Sequence, residues 1–264
     1  MLQRIRGKDS EIFFALGGST FAFLFGGRYG STLPRSVDNP LSSFADGVTA
    51  ADSMLSTENR QPPGRKDTMR ITLVGSRHFG VTILEMLRQR GVDVVRVVVA
   101  DADDRLAGAA RAAMIDVVVQ GDPKLVVASE IAEGTDLIVT AHSHARVSRE
   151  ALAAAKLGGI GYHPSLLPRH RGIAAVEWTI REKDPIAGGT VYHLADRMDA
   201  GAIAAQDWCF VKKGETAREL WERALAPLGL RLMGEVVDYA NTHHALPSKP
   251  QDEQFATSAP AITD

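Results

Sequence analysis

A single cysteine, Cys209, stands in the 264 residues, so no intrachain disulfide can form and no thiolate pair is present to hold a structural zinc. Flanked by Trp208 and Phe210 in an apolar stretch, it reads as a small buried hydrophobe on a strand. The histidines do not compensate. His142 and His144 lie close together and His243 and His244 fall near the end, with no spacing that closes a metal site, and no metal is expected. An excess of either charge is also missing: 30 Lys and Arg against 32 Asp and Glu leave a formal net charge of −2. Such a chain offers no basic field to a nucleic acid, and none is expected as a partner. Long apolar runs are lacking as well. Residues 12–25 hold five of the nine phenylalanines, but Gly17-Gly18-Ser19-Thr20 interrupts them and the run is too short to span a bilayer. Arg4, Arg6 and Lys8 before it imitate a secretory leader; Asp9, Glu11 and the missing small-residue cleavage site argue against one. The expectation is a cytoplasmic protein without a membrane partner.

What is present is a chain able to bury a core, with hydrophobic residues at 45%. Three stretches differ in character. Residues 1–68 are rich in Ser, Pro, Gly and Asp after the phenylalanine run, and read as a low-order extension or a misplaced start, with Met69 as the candidate initiator. Residues 69–241 are regular. Residues 242–264, with Pro247 and Pro250, read as a tail.

In the regular part, 70–75 is a buried strand running into a glycine turn, and Val81, Leu84 and Leu87 follow at helical spacing. Further strands are expected at 94–100, 116–120, 137–141 and 159–163, with an alanine-rich helix at 106–114. Strands alternating with helices imply an α/β fold: a Rossmann-like, mostly parallel sheet with helices on both faces. After Gly214, residues 217–239 carry leucines at helical spacing, as one long helix or two with a break near Pro227 and Gly229.

His163 ends the strand 159–163, because Pro164 has no N–H for a central ladder. A titratable ring just beyond the carboxyl end of such a strand lies where ligands collect in open α/β sheets. Residues 188–194 form another strand, and residues 195–201 a tight loop carrying Asp196 and Asp199. Asp199 can meet His163 there. Taken singly, a core histidine and a turn-forming aspartate would be the plainer readings. Ser165, Arg169 and Arg171 read as a turn cap and loop charges.

His163-Pro164-Ser165-Leu166-Leu167-Pro168-Arg169-His170-Arg171-Gly172, followed by Asp196-Arg197-Met198-Asp199-Ala200-Gly201, resembles the catalytic domain of the folate-dependent formyltransferases over about residues 69–239. The form is most similar to the hydrolase domain of 10-formyltetrahydrofolate dehydrogenase. The resemblance implies 10-formyltetrahydrofolate as formyl donor and a small-molecule folate as the partner. It implies Ala145, Arg146 and Val147 along the pterin pocket, with Asp196 closing its other side. His163 and Asp199 would act on the formyl group, His163 polarising its oxygen and Asp199 taking a proton from the acceptor. The family's transferases have Asn two residues before the His; here that position is Gly161. Loss of that carboxamide favours water, or an unusual acceptor, with Gly161 leaving it room, and leaves the acceptor itself unidentified. The tail resembles the linker that leads to a barrel domain in larger relatives.

Two alternatives accompany this reading. A non-catalytic reduced-folate-binding protein would also keep the motifs and lack the carboxamide. A nicotinamide-dependent Rossmann enzyme would use the turn framed by Gly75 and Gly80 with Asp101 beyond the second strand, although the glycine spacing departs from the dinucleotide fingerprint.

Overall fold

The computed structural model describes residues 68–263, so the expected extension at 1–68 lies, but for Thr68, outside the described residues. Nine strands are present among them: β1 (Arg70–Gly75), β2 (Asp93–Val99), β3 (Asp116–Val119), β4 (Leu125–Val126), β5 (Leu137–Ala141), β6 (Arg146–Val147), β7 (Gly159–His163), β8 (Ile186–His193) and β9 (Ile203–Phe210). The main sheet runs β3-β2-β1-β5-β7-β8-β9, and β4 and β6 form a separate parallel pair. From β3 to β7 every neighbour is parallel; β8 pairs antiparallel with both β7 and β9. The sheet is therefore mostly parallel, as expected, with β8 reversed.

Helices cover both faces because the central strands are apolar on both. Ile71 and Leu73 of β1, Val97 and Val99 of β2 and Leu137 and Val139 of β5 share one core with α1 (Arg77–Gln89), α2 (Arg105–Ala112) and α6 (Ala226–His243). The alternate residues Val74, Val98 and Ile138 point the other way, onto Ala151 of α3 (Arg149–Ala153) and the nearby Ala155. Each fully buried Leu or Ile in these layers contributes about 1.5–3 kcal/mol, so the two faces together dominate the stability of the sheet.

Local chemistry sets the helix ends. In α1, Phe79, Ile83, Leu84 and Leu87 make the buried stripe, and Gly91 (φ 71°) follows its end. The first amide of α1, from Arg77, donates to both oxygens of Asp104 at 3.0 and 3.1 Å, and the same carboxylate accepts from Leu106 at 2.8 Å as the N-cap of α2. Thr216 and Glu219 form a capping box at the start of α5 (Ala217–Leu220). A π-helical turn at Trp221–Leu225 then leads into α6, where Pro227 occupies a first-turn position that needs no amide donor. The break expected near Pro227 is this π turn, and the helical run extends to His243. Among the described residues, no helix is long and apolar enough to cross a membrane.

Candidate active site

Strand order reverses between β1 and β5, since the chain builds outward through β2 and β3 before returning on the other side of β1. A crevice opens beyond the carboxyl ends of strands at such a point. Here the Ser76 amide donates to the Ala141 carbonyl at 3.2 Å and its hydroxyl to the His142 carbonyl at 2.7 Å, stitching the two loops together. A cavity of about 720 Å³ extends from there past the end of β7, with Thr140, His163, Tyr192 and Asp199 in its wall.

His163 is the last residue of β7 and is 6% exposed. Its Nε2 lies 2.7 Å from the His170 carbonyl, which only accepts, so Nε2 carries a proton and Nδ1 is left for the site. Nδ1 stands 3.6 Å from Oδ2 of Asp199, which is 7% exposed. That separation is an electrostatic contact rather than a hydrogen bond, close enough for a small rearrangement to pass a proton. The structure thus brings together the two side chains singled out by sequence.

Reaching this position is not simple for Asp199. Because β8 runs against β7, His193 lies opposite Ile160, and the loop after β8 must come back over the face of the sheet. Asp199 takes a left-handed backbone, φ 52°, to do so. Its Oδ1 accepts from the Tyr192 hydroxyl and its Oδ2 from the Gly172 amide, each at 2.8 Å. Burial, and then the charge and hydrogen bond of Asp199, push the Tyr192 phenol well above its ordinary 10, so it stays a donor. Gly172 itself has φ 121°, and a Cβ there would meet the Ala259 carbonyl oxygen at 2.6 Å. Only glycine fits.

Gly161 does not leave open room beside His163, contrary to the sequence expectation. A Cβ on it would fall 2.6 Å from Thr140 Oγ1, 3.2 Å from Leu194 Cδ2 and 3.4 Å from Tyr192 Cε1. Thr140 and Tyr192 are its register partners on β5 and β8, so neighbouring side chains have filled the place of the missing one.

Of the residues expected at the pterin pocket, Ala145, Arg146, Val147 and Asp196 all line the cavity. The Ala145 amide donates to Ser143 Oγ at 3.2 Å and the Arg146 amide to the Lys124 carbonyl at 3.0 Å, so those two donors are engaged within the protein. The Asp196 carboxylate is paired with Arg149. His142, in the same wall, is held below its usual range by burial and by Arg77 and His144, and so is neutral at pH 7.

Arg169 and Arg171 are not free loop charges. Arg169 pairs with Asp184 at 2.8 Å and Glu182 at 2.7 Å; burial works to raise the Asp184 carboxyl, but hydrogen bonds from His170 and Arg169 outweigh it and hold it low. His170, Glu182 and Asp184 are the one trio among the described residues with metal-ligand proximity, and Arg169 already hydrogen-bonds both of its carboxylates. Ser165 donates to the Arg169 carbonyl at 2.6 Å, closing the turn as expected.

The tail is packed rather than loose. Ile203 and Lys249 exchange backbone hydrogen bonds, Thr257 and Ala259 bond to the chain around Arg171, Ala259 is fully buried, and the Trp178 indole donates to the Pro260 carbonyl. Tyr192, the Gly172 amide and the His170 carbonyl were not singled out by sequence as partners of the pair, and neither was Gln251, whose carboxamide binds the Asp199 carbonyl. Their only sequence signal was nearness to the two motifs, and for Gln251 there was none.

A doubly wound α/β domain with a buried imidazole and carboxylate in the wall of one cavity has the groups that can exchange protons with a small molecule bound there. The chain belongs to the formyl transferase family, whose sequence profile matches residues 69–237. It is 34% identical over 207 residues to the mitochondrial 10-formyltetrahydrofolate dehydrogenase of Mus musculus, a match covering 73% of this chain and 22% of that protein. It is 32% identical over 210 residues to the methionyl-tRNA formyltransferase of Enterococcus faecalis, covering 74% of this chain and 65% of that one. Among solved structures, the N-formyltransferase from Helicobacter canadensis, in complex with folinic acid and dTDP-3-aminofucose, superimposes with a TM-score of 0.58 at 15% identity, over 73% of this chain and 71% of that chain. The chain therefore spans about a fifth of the length of the dehydrogenase it matches.

Proposed function

We propose that this domain binds 10-formyltetrahydrofolate as a substrate and releases its formyl group to water or to a small acceptor. The carrying observation is His163 Nδ1 at 3.6 Å from Asp199 Oδ2, both buried in the wall of the cavity. Ala145, Arg146, Val147 and Asp196 would border the pterin, with flat apolar contacts on its faces. With water as acceptor, Asp199 takes a proton as the water oxygen bonds to the formyl carbon, and the carbonyl π pair moves onto oxygen. Asp199 hands that proton to the free Nδ1 of His163, and the imidazolium so formed stabilises the oxyanion. The oxyanion then collapses, the bond to N10 breaks with its electron pair on nitrogen, and N10 receives the proton from His163 Nδ1, leaving tetrahydrofolate and formic acid, which loses its proton to solvent as formate. No oxidant or metal enters the balance. A cytoplasmic location belongs to the same proposal and is checked by cell fractionation.

The nicotinamide alternative loses support at Asp104. Its carboxylate occupies the first amide of α1, where a dinucleotide pyrophosphate would bind, and would repel that charge. Incubating the full chain with 10-formyltetrahydrofolate and following formate and tetrahydrofolate tests the proposal. Binding without turnover, with or without added amines, would point to the folate-binding reading; no binding of 10-formyltetrahydrofolate would overturn both.

A further inference from the structure

Gln251 lies 52 residues beyond Asp199 and outside every motif, yet its side chain touches both loops of the candidate site. Its Nε2 donates to the Asp199 carbonyl at 2.8 Å and to the Gly201 carbonyl at 2.7 Å. Its Oε1 accepts from Arg171 Nη2 at 2.5 Å and Nε at 3.1 Å. Arg171, 11% exposed, is held in turn by Glu253 at 2.8 Å, and precedes Gly172, whose amide binds the Asp199 carboxylate. His170, on its other side, supplies the carbonyl that orients His163. One carboxamide therefore ties the loop that aims the imidazole to the loop that carries the carboxylate.

We propose that Gln251 is a positioning residue that holds Asp199 against His163, on the premise that those two are the reacting pair. The amide is suited to this because it donates twice from nitrogen and accepts twice on oxygen. No other uncharged side chain of this reach can satisfy two carbonyls and a guanidinium together. Asp199 needs such a hold, since a non-glycine residue at φ 52° persists only where its surroundings over-determine it. With both carbonyls released, the loop relaxes toward commoner backbone angles and the carboxylate leaves Nδ1. Gln251 itself does not line the cavity, so its loss should act on geometry and not on folate contacts.

The test uses the full chain with Gln251→Met, which keeps length and removes every hydrogen bond, and Gln251→Glu, which keeps the Arg171 pairing but turns oxygen toward the two carbonyls. Formate release from 10-formyltetrahydrofolate and the ¹⁵N signal of His163 Nδ1 are read in both, beside Asp199→Asn. The expected result is kcat lower by roughly 10- to 100-fold with KM changed less than about threefold, as a small misplacement of a reacting group produces. The Nδ1 signal should move toward its position in Asp199→Asn. An unchanged kcat together with an unmoved Nδ1 signal in either folded variant overturns the proposal, as does a loss confined to KM. Should the wild-type chain release no formate, the functional reading fails separately, and the Nδ1 signal alone decides whether Gln251 places Asp199.

Discussion

Asp199 is held by more groups than its charge requires: a phenol, a main-chain amide and a nearby imidazole meet one carboxylate. Asp199→Asn keeps the shape and removes the base, so folate binding should survive while formate release falls below detection in a single-turnover assay. Tyr192→Phe removes one donor and leaves a carboxylate oxygen short of a partner in a buried place, which costs about 1–3 kcal/mol. Part of that should appear as a lower Tm and part as a lower kcat, with the ring's packing intact. Gly161 calls for a different experiment from the one the motif comparison suggests. Gly161→Asn alone would drive Cβ into Thr140 Oγ1, so the single variant should melt lower by an overpacking cost of about 1–3 kcal/mol. Thr140→Ala should relieve it. The double variant recovering stability in a thermal melt would show that the Thr140 hydroxyl occupies the space; additive losses would show that it does not.

Among the elements, the turn before α5 carries the sharpest electrostatic feature. Hydrogen bonds from Arg223 hold the Glu215 carboxyl down at about 2, against an ordinary 4.5, and this fixes Gly214 and the start of α5 against the π turn. Because the folded value is the depressed one, the contribution is complete above pH 4.5 and fades as pH falls toward about 2. Urea melts of wild type and Glu215→Gln should therefore differ most near pH 6 and converge on acidification; a gap that widened in acid would contradict the assignment. Legibility also divided along element lines. The strands β1, β2, β5 and β7 were readable because burial on both faces demands continuous apolar runs. The reversed direction of β8 was not, since an apolar run has no polarity along the chain. His163 and Asp199 were visible because each stands where a strand gives way to a motif. Gln251 was invisible because two of its partners are backbone carbonyls, which every residue possesses, 50 and 52 residues away, and the third, Arg171, lies 80 residues away.

At the scale of the whole molecule, the regular pattern begins at Met69, and a chain starting there should fold with an unchanged Tm, as judged by calorimetry; a marked drop would show that residues 1–68 contribute to the fold. The opposite truncation should not be neutral. Removing residues 247–264 strips the backbone partners of Arg171 and Ala174, so formate release should be lost even where circular dichroism shows the sheet retained.

The order of the packed parts along the chain has a consequence for synthesis. Every strand of the main sheet precedes residue 211, whereas Gln251, Thr257 and Ala259 come later in the chain. A nascent chain can thus complete its core while the pair in the cavity wall still lacks its fastening. Such a chain would be folded before it was competent, with Asp199 left loose beside His163 until residues 249–260 had been added and packed.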